Sequence, residues 1–136
     1  MADDTIYEGG CLCGAVRFKS RGEPNRVGVC HCLDCRKHHG APFYAAAIFA
    51  VEQVTFDGET RSHPDHEDRA FCPKCGSSVF AVTGSEVELH LGSYDETGIF
   101  TPQYELWTKR REPWLQPIAG ARQFSENYVK SAAETK

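Results

Sequence analysis

Cys30-His31-Cys32-Leu33-Asp34-Cys35-Arg36 puts three thiols within six residues, and two further pairs flank it, in Cys11-Leu12-Cys13 and in Cys72-Pro73-Lys74-Cys75-Gly76. All seven cysteines of the 136-residue chain fall in these three clusters, so none is left as an isolated core residue. Structural zinc takes four tetrahedral ligands, often thiolates supplied in pairs, whereas catalytic zinc commonly keeps three protein ligands and one exchangeable position. Seven thiols therefore divide as four plus three. Cys11, Cys13, Cys72 and Cys75 make a closed set, and Cys30, Cys32 and Cys35 make an open one. If Cys11 and Cys13 lie on a strand, both sulfurs face one side. The C-P-x-C-G form of Cys72 to Gly76 is that of a turn whose two thiols converge on a metal, with glycine's permissive backbone just past it.

A disulfide framework is the competing use of seven cysteines. The odd count, the close spacing and a start, Met1-Ala2-Asp3-Asp4, that reads as neither signal nor transit peptide favour reduced thiols in the cytoplasm. Iron or a redox dithiol remain as other chemistries for the same residues. Lys and Arg number 15 against 19 Asp and Glu, for a formal charge of −4 with the signs interspersed. That composition lacks the basic stripe of a nucleic-acid-binding surface. The longest mostly apolar run, Ala41 to Val51, is too short to cross a membrane and holds Pro42 near its start. The length predicts one domain, over residues 5–124, followed by a polar tail, 125–136, that reads as a frayed helix.

Hydrophobic patterning predicts an all-β domain of many short strands with little helix. Ile6 to Ser20 reads as two strands around a Gly9-Gly10 bend, with a bulge or turn near Gly14 where the alternation of Leu12, Val16 and Phe18 breaks, and Val27 to Cys32 as a strand with Cys30 and Cys32 on one side and His31 on the other. Asp34 is placed to cap a short helix from Cys35 to His39 that ends at Gly40. A helix N-terminus, like a metal, favours thiolate at Cys35. Phe43 to Phe49 and Val54 to Phe56 follow as strands, Asp57-Gly58 as a hairpin turn into Arg61-Ser62-His63, and a polar loop runs on through Asp68. Val79 to Val82, Val87 to Gly92 and Gln103 to Trp107 complete the strands. Lys109 to Ile118 reads as an irregular cover.

With these residues placed, the sequence resembles the glutathione-dependent formaldehyde-activating enzyme family, which includes the domain of centromere protein V. The resemblance rests on Gly9-Gly10-Cys11-Leu12-Cys13-Gly14-Ala15-Val16-Arg17-Phe18, Cys30 to Arg36, Gly40-Ala41-Pro42-Phe43, and Arg69-Ala70-Phe71-Cys72-Pro73-Lys74-Cys75-Gly76-Ser77. It continues through Leu91-Gly92-Ser93, Trp107-Thr108 and Pro113-Trp114, in order, from about residue 7 to 124. It implies a twisted all-β zinc fold, shared with a guanine-nucleotide-exchange chaperone, and two zincs on the same four and three cysteines. It also implies condensation of glutathione with formaldehyde, classed as a carbon–sulfur lyase activity for the reverse direction.

Thiol chemistry suits an open zinc, because a substrate thiol that takes the metal's fourth position is deprotonated there, the metal stabilising the anion. Three thiolates already weaken the metal as a Lewis acid, which favours delivering a nucleophile over activating a carbonyl. His31 turns away from the thiols and reads as a hydrogen-bonding partner behind them. His38 and His39, one turn beyond Cys35, could move protons, though histidines on short helices are ordinarily surface residues. Arg36, Arg61 and Arg69 could hold a substrate carboxylate, and Lys109-Arg110-Arg111 could form an anion-binding lip. Each has a plain structural reading beside it. Phe43, Phe71 and Trp107 read as core or pocket wall. A non-catalytic zinc module that binds a protein partner is the alternative function, and a pure scaffold would need only the closed site.

Overall fold

The computed structural model describes residues 4–130. Within them the chain runs through β1 (Ile6–Gly10), β2 (Arg17–Arg21), β3 (Arg26–Cys30), α1 (Leu33–His39), β4 (Tyr44–Ala50) and β5 (Val54–Asp57). It continues through β6 (Arg61–His63), β7 (His66–Phe71), β8 (Ser78–Thr83), β9 (Glu86–His90), β10 (Tyr104–Leu106) and β11 (Arg122–Gln123). The fold is all-β with one α-helix, as the patterning predicts. No described helix is long and apolar enough to cross a membrane.

The chain forms two compact units. One comprises residues 4–27 together with Ala45–Thr101, and the other comprises Gly28–Tyr44 and residues 102–130. In the first unit β1, β2 and β5 form an antiparallel sheet, with Gly9 opposite Phe18 and Phe18 opposite Phe56. A second antiparallel ladder runs β4, β9, β8, β7, β6. Strand β9 alternates from Glu86 to Leu89, so Val87 and Leu89 point into the core with Val16, Phe18, Phe49 and Val79, and His90 at its end is buried as well. Strand β4 is buried from Ala46 to Phe49, which is why its sequence is apolar without alternation. Full burial of side chains such as Phe18, Phe49 and Leu89 contributes about 2 kcal/mol each. Tyr94 closes this core edge-on to Phe18 at 5.1 Å, bonded to Ser20 Oγ at 2.8 Å, and burial pushes its hydroxyl up to about 12.

In the second unit the Gly28–Cys30 end of β3 pairs in parallel with β10, and β10 pairs in parallel with β11. Gly28 is needed because the Tyr104 ring lies against it: a Cβ there would fall 2.1 Å from Tyr104 Cε2. Helix α1 leaves through Gly40, whose φ of 61° is the left-handed exit that glycine takes without strain, and its N–H bonds Arg36 O.

The structure departs from the sequence pattern at several places. Gly9 and Gly10 lie inside β1, and the bend is at residues 12–16, so Cys11 and Cys13 sit on a turn and not on a strand. Close packing explains those glycines: a Cβ on Gly9 would meet Ser93 O at 2.3 Å, and one on Gly10 would meet Val16 O at 2.1 Å. Cys32, not Asp34, caps α1, its sulfur accepting the Cys35 N–H at 3.3 Å, and Cys35 is the third helical residue. After Asp57-Gly58 the chain does not fold back on itself: β5 pairs with β2 while β6 pairs with β7. The polar loop is shorter than expected because β7 already begins at His66. Residues 125–130 carry no helix, and the rest of the expected frayed helix lies outside the described residues.

Candidate metal centres

The closed set is built from two turns. Cys11 accepts the Val16 N–H at 3.2 Å on its sulfur while its own N–H bonds Val16 O at 3.0 Å, closing the first turn. In the second, Cys72 N–H bonds Ser77 O at 2.9 Å and Gly76 N–H bonds Cys72 O at 2.8 Å. Ser77 ties the turns together: its Oγ accepts the Leu12 N–H at 3.0 Å and lies 3.2 Å from Cys75 Sγ. The four sulfurs of Cys11, Cys13, Cys72 and Cys75 consequently lie within 4.8 Å of one another, with Cys11 to Cys13 at 3.6 Å and Cys13 to Cys72 at 3.8 Å.

Those separations fit a metal. Zinc–sulfur bonds of about 2.3 Å in a tetrahedron place sulfurs about 3.8 Å apart. The thiols also disturb one another's protons. Hydrogen bonds from the Ser77 hydroxyl, the Ser77 N–H and the Cys13 N–H bring Cys75 down to about 5. The Ala15 N–H draws Cys13 down, but burial and the neighbouring Cys11, Cys75 and Cys72 outweigh it and push it up to about 11. Four sulfurs that cannot all carry charge side by side are what a divalent cation would relieve.

The open set spans the end of β3 and the start of α1. Cys30 closes the strand, Cys32 is the helix cap and Cys35 is buried in the first turn, and their sulfurs lie within 4.8 Å of one another. Contact with Cys30, burial, the Cys30 charge and Cys32 all raise the Cys35 thiol. This crowding too suits a cation. No histidine or carboxylate among the described residues joins the group as a fourth donor.

His31 is 2% exposed, its Nε2 lies 2.8 Å from Glu105 Oε1 and its ring packs 5.7 Å from Phe43. His38 and His39 are half-buried on the last turn of α1, edge to face at 4.9 Å, and His39 stacks on Tyr44. Arg36 bonds Arg110 O at 3.0 Å and Glu112 Oε1 at 2.5 Å, tying the helix to the cover segment. Arg61 lies beside Glu59 in the other unit, which also holds Arg69. In the expected anion lip, Lys109 bonds Glu126 and sits over Trp107, while Arg111 bonds Gln123 and lies 3.4 Å from Glu105.

Trp107 holds φ 55°, a strained backbone for a bulky residue. It is held there by its N–H on Glu126 O and its Nε1–H on Asn127 Oδ1, both at 2.9 Å. Glu105, which sequence reasoning passed over, is the hub of this unit. Burial opposes its ionisation, but the Ile118 N–H, His31, Gln123 and the Arg111 charge outweigh that and hold it below the usual carboxylate range. Its one sequence signal was a carboxylate inside the apolar run Tyr104-Glu105-Leu106-Trp107.

Residues 6–110 match the family described as glutathione-dependent formaldehyde-activating enzyme. An uncharacterized lyase of Schizosaccharomyces pombe is 29% identical over 96 residues, covering 68% of this chain and 70% of that protein. A methylthioribose-1-phosphate isomerase of Naegleria gruberi is 28% identical over 129 residues, of which the chain spans 33% of that protein's length. A Halomonas elongata protein provisionally named a glutathione-dependent formaldehyde-activating enzyme is 31% identical over 90 residues, covering 55% of each. A solved Rhodobacter sphaeroides protein shares the fold, with a TM-score of 0.50 at 20% identity, over 68% of this chain and 90% of that one.

Proposed function

The chain belongs to the glutathione-dependent formaldehyde-activating enzyme family, and from that premise we propose a zinc-dependent, carbon–sulfur-lyase-like enzyme. Its substrate is a thiol adduct of formaldehyde or another small carbonyl compound, and the thiol is glutathione or a close analogue. Two zincs per chain are proposed, one on Cys11, Cys13, Cys72 and Cys75 and one on Cys30, Cys32 and Cys35. The cytoplasm, where thiols stay reduced, is the proposed compartment.

The observation that carries this reading is the open set itself. Three thiols converge without a fourth donor from the described residues, beside a separate set of four that already suffices to hold a fold together. Zinc held by the three thiols supplies stabilisation of a thiolate, or polarisation of a carbonyl oxygen, at its remaining position. In the forward direction a bond forms between the thiol sulfur and the carbonyl carbon, and the thiol proton ends on the carbonyl oxygen; the reverse breaks that carbon–sulfur bond. His38 and His39, on the exit turn of the helix that carries Cys35, are proposed to carry that proton.

The test is direct. Zinc-loaded protein is mixed with glutathione and formaldehyde, and formation of the S-hydroxymethyl adduct is followed by NMR exchange against the uncatalysed rate. Acceleration that Cys32→Ser abolishes supports the reading. A protein holding two zincs that leaves the rate unchanged points instead to a non-catalytic binding module.

A further inference from the structure

The buried carboxylate of Glu105 bonds His31, the residue between Cys30 and Cys32, and belongs to neither thiol group. It is 2% exposed and meets only donors: Oε1 faces His31 Nε2 at 2.8 Å, while Oε2 accepts from Ile118 N–H and Gln123 Nε2, each at 2.8 Å, with Arg111 3.4 Å away. An ionised carboxylate only accepts, so His31 Nε2 donates. His31 Nδ1 and Arg111 Nε, both buried, have no hydrogen-bond partner among the described residues, so the network depends heavily on the bonds it does make.

Register decides what this network controls. In the parallel pair Glu105 lies opposite Val29 and Leu106 opposite Cys30. Side chains alternate across a strand, so Glu105 shares a face with Val29 while Cys30, the last strand residue, turns to the other; His31, just past the strand, reaches Glu105 directly. His31 is the single residue between Cys30 and Cys32. Its N–H bonds Leu106 O at 3.0 Å and its ring is pinned by Glu105, so backbone and side chain are fixed together. Fixing the torsions of His31 fixes the directions in which the flanking Cα–Cβ bonds leave the chain.

We propose that Glu105 is a positioning residue for the open thiol set, acting through His31 to hold Cys30 and Cys32 in metal-binding geometry. The proposal rests on the reading that the open set holds a metal. Glu105→Gln is the discriminating exchange. The amide keeps the shape, but with its oxygen on the Ile118 and Gln123 donors its NH₂ faces His31, which must then accept at Nε2 and carry its proton on the buried, unbonded Nδ1.

The experiment is competition of a chromogenic chelator for zinc in the whole chain, with the open-site phase identified as the one that Cys32→Ser removes. Glu105→Gln is expected to weaken that phase by about 10–100-fold, the usual cost of losing a partner behind a metal ligand. The closed-site phase should stay unchanged. With cobalt in place of zinc, the thiolate-to-metal absorption of the open site should shift in the same variant. Pairing His31→Ala with Glu105→Ala should be no worse than His31→Ala alone. If Glu105→Gln fails to fold, Gln123→Ala, which removes one exposed donor and keeps the carboxylate, should weaken the open phase several-fold. Equal weakening of both phases, or no change in the open one, overturns the proposal. A wild-type chain with one metal that survives Cys32→Ser overturns the reading beneath it.

Discussion

Cys32 holds two places at once: its sulfur belongs to the open set, and it accepts the Cys35 N–H as the cap of α1. Serine is a better helix cap than cysteine but a poor zinc ligand. Cys32→Ser should therefore leave the circular dichroism of the fold in place while metal content falls to about half, as read by elemental analysis. Cys75→Ser removes a ligand from the closed set and should instead unfold much of the first unit, so equal damage from both exchanges would count against separate roles. Gly28 tests packing in the second unit. A methyl there would collide with the Tyr104 ring at 2.1 Å, and Gly28→Ala should lower stability in denaturant by about 1–3 kcal/mol. The thiol groups were legible residue by residue because ligand spacing within each turn is a local pattern. Glu105 was not, because its partner His31 lies 74 positions away and only the parallel pairing of β3 with β10 brings them together.

The elements divide in the same way. Strand β9 could be read from alternation alone, since one face of it is core. The Gly9-Gly10 pair misled because glycine marks both bends and close approaches, and only the proximity of Ser93 O and Val16 O distinguishes them. Strand β11 is two residues long and owes its existence to β10, so no periodicity announces it. Strand β9 also begins with an ion pair that gives a pH test. Arg26 and Asn25 hold the Glu86 carboxyl below its ordinary 4.5. A depressed folded value means the pair's stabilisation is complete above 4.5 and disappears as pH falls through the lower folded value. Glu86→Gln should cost under about 1 kcal/mol near neutrality, because both side chains are partly exposed. That deficit should vanish on acidification when thermal midpoints of variant and parent are compared across pH.

Across the whole molecule, the proposed metals are the largest single terms. A structural zinc contributes about 10–16 kcal/mol of folding energy in small domains, against a net stability of about 5–15 kcal/mol for a typical protein. Stripping the metal with a chelator under reducing conditions should therefore unfold the first unit, with amide protection lost first along the two turns that carry Cys11, Cys13, Cys72 and Cys75. Returning zinc should restore it. The open set has a different purpose in this account: it spends three thiols on a metal whose remaining position is available to a substrate thiol. Zinc content per chain combined with X-ray absorption at the zinc edge, with and without glutathione, tests that claim most directly. Two zincs per chain are expected, with a mean sulfur number between three and four that rises to four when glutathione is added. One zinc per chain in four-sulfur coordination, unmoved by glutathione, would contradict it.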